Sequence, residues 1–156
     1  EPPAGFLEDL QRRTFAAFER ELRPVEGVVE ALEAIQSRLA TAVASSGDHD
    51  KLRHTLGLTG LWPRFEGRIF STVDVPHAKP QPDVYLHAAR TLGFEPSRCV
   101  VIEDTPIGVA AGVAAGMRVL GYARYTPAAQ LLAAGALEVF DDMRGLPSRL
   151  LPRHAR

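Results

Sequence analysis

The chain has 156 residues, 46% of them hydrophobic, which suits one domain with a real core. A formal net charge of −1 excludes an electrostatic case for nucleic acid or an anionic membrane surface, and no apolar run is long enough to span a bilayer. The single cysteine, Cys99, leaves no internal disulfide and no Cys/His zinc cluster, and inside an apolar run it reads as a small buried residue.

Residues 1–5 are a Pro/Gly-containing lead without an initiating Met, which reads as an internal starting point. Phe6, Leu7, Leu10, Phe15, Phe18 and Leu22 recur at mostly helical spacing, and Pro24 ends that helix. Val28, Val29, Leu32, Ile35 and Leu39 mark a second amphipathic helix, with Glu26, Glu30, Glu33 and Arg38 on its polar face. Thr41 to Ala44 reads as a short buried strand that runs into Ser45-Ser46-Gly47-Asp48, followed by a helix from about His49 to Leu56. Arg68 to Val73 is a second strand, with Trp62 and Phe65 as packing residues before it. Val75 to Asp83 is a stiff Pro-rich loop, and a helix from about Asp83 to Leu92 ends at Gly93. Cys99 to Ile102 is an apolar strand. Glu103 and Asp104 follow it, and Thr105 and Pro106 open an Ala/Val-rich helix in which Pro suits the first position. Arg118 to Tyr122 and Glu138 to Phe140 are further strands, and helices run from Pro127 to Ala134 and from Met143 to Leu151. Strands alternating with helices predict βαβ units and a parallel sheet. Right-handed crossovers then bring Ser45, Lys79, Glu103 and Asp104 to the carboxyl edge, where open α/β sheets place their ligands.

Three groups along that edge carry chemistry. Ser45 and Ser46, at a strand-to-helix turn, offer hydroxyls and free N–H groups as an anion cradle, or they simply cap the helix. Lys79, one of only two lysines in an Arg-rich chain, is followed by Pro80 and Pro82. These restrict the backbone and lower the entropy cost of aiming its ammonium at a phosphate; a surface lysine is the plainer alternative. Glu103 and Asp104 repel each other on a tight turn, which a hard cation such as Mg²⁺ relieves; equally, Asp104 could cap the helix with Glu103 solvated beside it. Taken together, in this order, each after its own strand, they make a site for a phosphate plus Mg²⁺, the requirement of phosphoryl transfer.

With those motifs the chain resembles the haloacid dehalogenase superfamily, in its phosphatase and phosphoglucomutase-like branch. Thr41 to Ser46 is similar to the family's second motif, Ala78-Lys79-Pro80-Gln81-Pro82-Asp83 to the third, and Val101 to Gly108, with its acidic pair, to the fourth. The resemblance implies an α/β fold: a Rossmann-like parallel-sheet core with flanking helices over 24–156, plus the remnant of a helical cap over 1–23. It also implies that Ser45, Ser46 and Lys79 bind the phosphoryl group, that Lys79 and Asp104 are catalytic, and that Glu103 and Asp104 hold Mg²⁺. The expected partner is a small phosphorylated metabolite, with neither nucleic acid nor membrane, and the expected location is cytoplasmic.

One motif is missing. The family's nucleophile lies in Asp-x-Asp-Gly-Thr at the end of a first strand, whereas the only Asp-x-Asp here, Asp48-His49-Asp50, opens a helix and is better explained by capping. In the family that strand lies between the strands at Cys99 and Thr41. Its absence leaves two edges to be filled by an upstream segment, a complementing segment or self-association. The expected function is a Mg²⁺-dependent phosphohydrolase of a sugar phosphate, working through an aspartyl phosphate on an upstream Asp. The rivals are a sugar phosphomutase with the same core and a non-catalytic binding module.

Overall fold

A computed structural model describes Pro3 and residues 5–151; most of the Pro/Gly lead at 1–5 and the last residues of the chain lie outside these. The first helix, α1 (Phe6–Glu21), has Glu8 and Asp9 in its first turn and stops where Leu22 turns extended before Pro24. None of its residues is buried, and Phe6, Leu7 and Leu10 are exposed along it. A bend at Gly27, in the left-handed region at φ 79°, starts α2 (Val28–Gln36), which buries Ala31 and Ile35.

The remainder alternates strand and helix. It runs β1 (Val43–Ser45), α3 (His49–Leu58), α4 (Trp62–Phe65), β2 (Ile69–Ser71), α5 (Asp83–Leu92), β3 (Val100–Glu103), α6 (Pro106–Ala114), β4 (Arg118–Tyr122), α7 (Ala128–Ala133), β5 (Glu138–Phe140) and α8 (Leu146–Leu150). All pairings are parallel, in two separate sheets, β1-β2 and β3-β4-β5. No ladder joins β1 to β3 among the described residues. The Val43 N–H donates to Arg68 O in β2's direction, so the alternate residue Ala44 turns its N–H and carbonyl the other way. In the same manner Cys99 O accepts from Arg118 on the β4 side, which turns the polar groups of Val100 and Ile102 to the free edge.

Strand alternation also sorts the core into two layers. Val101 and Val119 join Phe70, Val84, Tyr85, Val109 and Leu131 on the face covered by α5, α6 and α7. Leu120 and Tyr122 point to the other face, with Ala31, Ile35, Phe140 and Leu146 from α2, β5 and α8. Parallel strands covered on both faces are the expected consequence of helical crossovers. Because α5 packs on β1 and β2 and its Tyr85 hydroxyl donates to Glu103 at the end of β3, it ties the two sheets together.

Two readings of the sequence change. Cys99 is half-buried and lies just before β3, where its thiol touches Glu95 O at 3.4 Å; burial still pushes that thiol up. β1 is half-buried along its length, because one of its edges has no neighbouring strand among the described residues.

Candidate active site

Lys79 lies in the Pro-rich loop that enters α5, and its side chain crosses between the ends of the two sheets. The ammonium donates to Glu103 Oε1 at 2.6 Å, to the Tyr85 hydroxyl at 2.8 Å and to Ala44 O at 3.2 Å. An ammonium has three N–H donors, so all three are matched. The longest of these bonds goes to the free edge of β1. The pair is well buried, with 7% of the Lys79 and 10% of the Glu103 side chain exposed. The first turn of α5 places Tyr85 against this pair, with the Lys79 nitrogen 4.6 Å from the ring centroid.

Glu103 ends β3 and has no free oxygen. Oε1 accepts from Lys79 and from the Tyr85 hydroxyl, the latter at 2.6 Å. Oε2 accepts from the Asp104 N–H at 3.2 Å and from the Thr105 N–H and hydroxyl at 3.4 and 3.1 Å. Burial by itself would raise the Glu103 carboxyl. The Lys79 charge and the bonds from Lys79, Tyr85 and Thr105 together outweigh it and hold the group below the ordinary glutamate range. Tyr85 moves the opposite way. Burial first, then the Glu103 charge and hydrogen bond, push its phenol far up, so it stays protonated and donates to Glu103.

The helix after this turn is capped by Thr105, whose hydroxyl accepts the Gly108 N–H at 3.1 Å, and not by Asp104. Asp104 is exposed. Its carbonyl accepts from the Thr126 hydroxyl at 2.6 Å, while its carboxylate has no hydrogen-bond partner among the described residues. The adjacent carboxylates therefore do not act as a matched pair: Glu103 turns inward to Lys79 and Asp104 outward. This alters the expectation that both face one cation, since the Glu103 oxygens are already satisfied. Asp104 supplies a free, hard oxygen donor of the type Mg²⁺ takes. No group of three or more His, Cys, Asp or Glu side chains among the described residues could enclose a metal ion.

On the other side of Lys79, Ser45 ends β1. Its Oγ accepts the Gly47 N–H at 3.1 Å, which leaves the hydroxyl proton available as a donor. Ser46 is exposed beside it. Asp48 is the residue that caps α3, through the Lys51 N–H at 2.8 Å, so neither serine is needed for capping. The structure thus gathers Ser45, Lys79 and Glu103 about the ends of β1 and β3, with Asp104 at the outer rim.

Tyr85 is the member that sequence reasoning passed over. Inside an amphipathic helix it counts as one more core aromatic; only its spacing of six residues after Lys79, in a helix started by Pro82, hints at a shared position. Gly108 closes the fourth motif, but nothing in the sequence gives its role. A Cβ there would collide with the Glu103 carboxylate.

The model of the haloacid dehalogenase-like hydrolases matches residues 3–116. The chain is 31% identical over 102 residues to the 6-phosphogluconate phosphatase of Escherichia coli, covering 65% of this chain and 45% of that protein. It is 42% identical over 80 residues to hexitol phosphatase A of the same organism, covering 51% of this chain and 36% of that one. The chain therefore spans less than half the length of these curated relatives. Among solved structures, a family hydrolase from Deinococcus radiodurans with bound phosphate and sodium superposes with a TM-score of 0.83 at 35% identity, over 96% of this chain and 68% of that one. A presumed beta-phosphoglucomutase from Thermotoga maritima gives 0.87 at 27% identity, over 96% and 70%. By the extent of these matches, the chain belongs to the haloacid dehalogenase-like hydrolases.

Proposed function

We propose that this chain forms the core of a Mg²⁺-dependent phosphohydrolase acting on a small phosphorylated metabolite, a sugar phosphate in the first place. The observation that carries this reading is the buried Lys79 ammonium, held by Glu103 and Tyr85 and bonded to the carbonyl of Ala44, the residue before Ser45 at the end of β1. Exchange of the long bond to Ala44 O for a phosphoryl oxygen would bring Lys79 onto substrate without loosening its grip on Glu103. Ser45, with Ser46 beside it, would donate to a second phosphoryl oxygen. The sugar-phosphate assignment is supported by the names of the two Escherichia coli relatives, and the phosphate site by the Deinococcus radiodurans neighbour.

The free edges of β1 and β3 are the place for an extended segment carrying the nucleophile, since a strand there would complete both ladders. An aspartate on it attacks phosphorus, the bond from phosphorus to the ester oxygen breaks, and a second aspartate protonates the leaving oxygen. Water then cleaves the aspartyl phosphate and releases inorganic phosphate. Lys79 offsets the charge on the phosphoryl oxygens throughout. Asp104 would hold Mg²⁺ together with water and groups of that segment; the ion supplies further charge neutralisation on the phosphoryl oxygens. Glu103 serves this centre chiefly through Lys79.

The test is phosphate release from a panel of sugar phosphates with Mg²⁺ present, by the protein together with the segment that supplies the nucleophile. Lys79→Ala and Asp104→Ala are each expected to lower turnover by about two or more orders of magnitude. Near-normal turnover in either variant removes that residue from the assignment. The Thermotoga maritima neighbour favours the mutase as a second reading, and an isomeric sugar phosphate in place of inorganic phosphate would establish it. Phosphate or Mg²⁺ binding with no turnover of any kind would identify a binding module instead.

A further inference from the structure

Ser71 is the one fully buried polar side chain of the core among the described residues, and it stands beside Ser45 as its ladder partner in β2. Its hydroxyl donates to the Gly47 carbonyl at 2.6 Å and accepts from the Val73 N–H at 3.2 Å. The next residue, Thr72, reaches the Ser46 carbonyl at 3.5 Å. Asp74 takes the Ser71 N–H at 3.1 Å and holds His49 Nε2 at 2.8 and 3.0 Å on its two oxygens. Residues 71–74 therefore grip the loop from Ser46 to His49 at three successive points, all from the β2 side.

The grip has a directional consequence. A trans peptide is planar, with its C=O and N–H pointing opposite ways. Fixing the Gly47 carbonyl towards Ser71 turns the Asp48 N–H away from β2. Lys79 meets Ala44 O on that opposite edge of β1. The Asp48 N–H has no acceptor among the described residues. An anion site needs N–H groups facing it and carbonyls facing away, and a Gly47 carbonyl released from Ser71 would be free to turn its negative end inward.

We propose that Ser71 is a positioning residue for phosphoryl binding: its hydroxyl pins the Gly47 carbonyl and so aims the Asp48 N–H at the bound anion, with Thr72 and the Asp74–His49 pair steadying the same loop. This rests on the reading that Ser45 and Lys79 hold a phosphoryl group.

The experiment is an NMR titration of the ¹⁵N-labelled protein with orthophosphate, following the amides of residues 45–48. In the wild type the Asp48 amide is expected to be among the most strongly displaced. Ser71→Ala is expected to weaken phosphate binding about tenfold and to abolish the Asp48 response, while the amide spectrum elsewhere keeps its dispersion. Asp74→Asn, at a partly exposed point of the clamp, carries the same test if Ser71→Ala does not fold; a fall of about threefold in affinity with a diminished Asp48 response to phosphate supports the proposal. Undiminished affinity in the folded variants, with the wild-type Asp48 response, overturns the role of Ser71 and leaves the phosphoryl site standing. Absence of any phosphate response in the wild type overturns both.

Discussion

Lys79 and Glu103 form an ion pair largely removed from water, and the pair is worth having only because every lone pair and proton is matched. Removing one partner leaves the other charge buried. Glu103→Gln is therefore expected to lower stability by about 3–5 kcal/mol in urea unfolding. Tyr85→Phe, which keeps the ring and loses one hydroxyl, should lower it by about 1 kcal/mol. The pH dependence has a definite sign. The Glu103 carboxyl titrates in the folded protein below its ordinary value of 4.5, so the contribution is complete above pH 4.5 and is lost as pH falls through the lower, folded value. The stability difference between wild type and Glu103→Gln should hold from neutrality down to pH 4.5 and narrow below it. A difference that stays constant down to about pH 3 would show that the pair is not its source.

At the scale of elements, the turn from β3 into α6 places Glu103 beneath the first turn of the helix, where Gly108 leaves the space its carboxylate fills. One turn further on, a Cβ on Gly112 would come within 2.7 Å of Val119 Cγ2, so this glycine lets α6 lie close on β4. Alanine is normally the better helix former by about 1 kcal/mol, yet Gly108→Ala should destabilise the protein and cut turnover, because it evicts a carboxylate held by Lys79, Tyr85 and Thr105. A thermal melt at or above the wild-type midpoint would contradict this. The bounds of α5 are readable from sequence because Gly93, at φ 75°, terminates it and Pro82 starts it. Those of β2 are not. Arg68 to Val73 has the composition of a longer strand, but the Ser71 hydroxyl accepts from Val73 and the Asp74 carboxylate from Ser71, which folds Thr72–Asp74 into a tight helical turn. The helix at Trp62–Phe65 is too short to show a period. The last helix is divided into a tight turn at Met143–Gly145 and α8, which begins at the Leu146-Pro147 step.

At the scale of the molecule, two parallel sheets are joined through α5, while among the described residues their facing edges stay unpaired. The amides of Ala44, Val100 and Ile102 should then exchange with solvent much faster than those of Val119 to Gly121 inside the three-stranded sheet. Equal protection, read by hydrogen-exchange NMR, would mean that another segment or a second copy already covers the edges. The sequence by itself determined the alternation of strand and helix, because hydrophobic runs and Pro/Gly punctuation are local properties. It also determined that Ser45, Lys79, Glu103 and Asp104 fall at strand ends or in the loop beside them, since chain order and right-handed crossovers dictate that. Only the tertiary structure decided how those residues divide their work. Whether Glu103 turns to Lys79 or outward with Asp104 depends on a Tyr85 hydroxyl 18 residues earlier and on room left by Gly108. Whether the Gly47 carbonyl faces the site depends on a serine in the neighbouring strand, 24 residues away in the chain. Hydrogen-bond partners brought together across sheets leave no period and no adjacent motif in the chain, so their assignment had to wait for the fold.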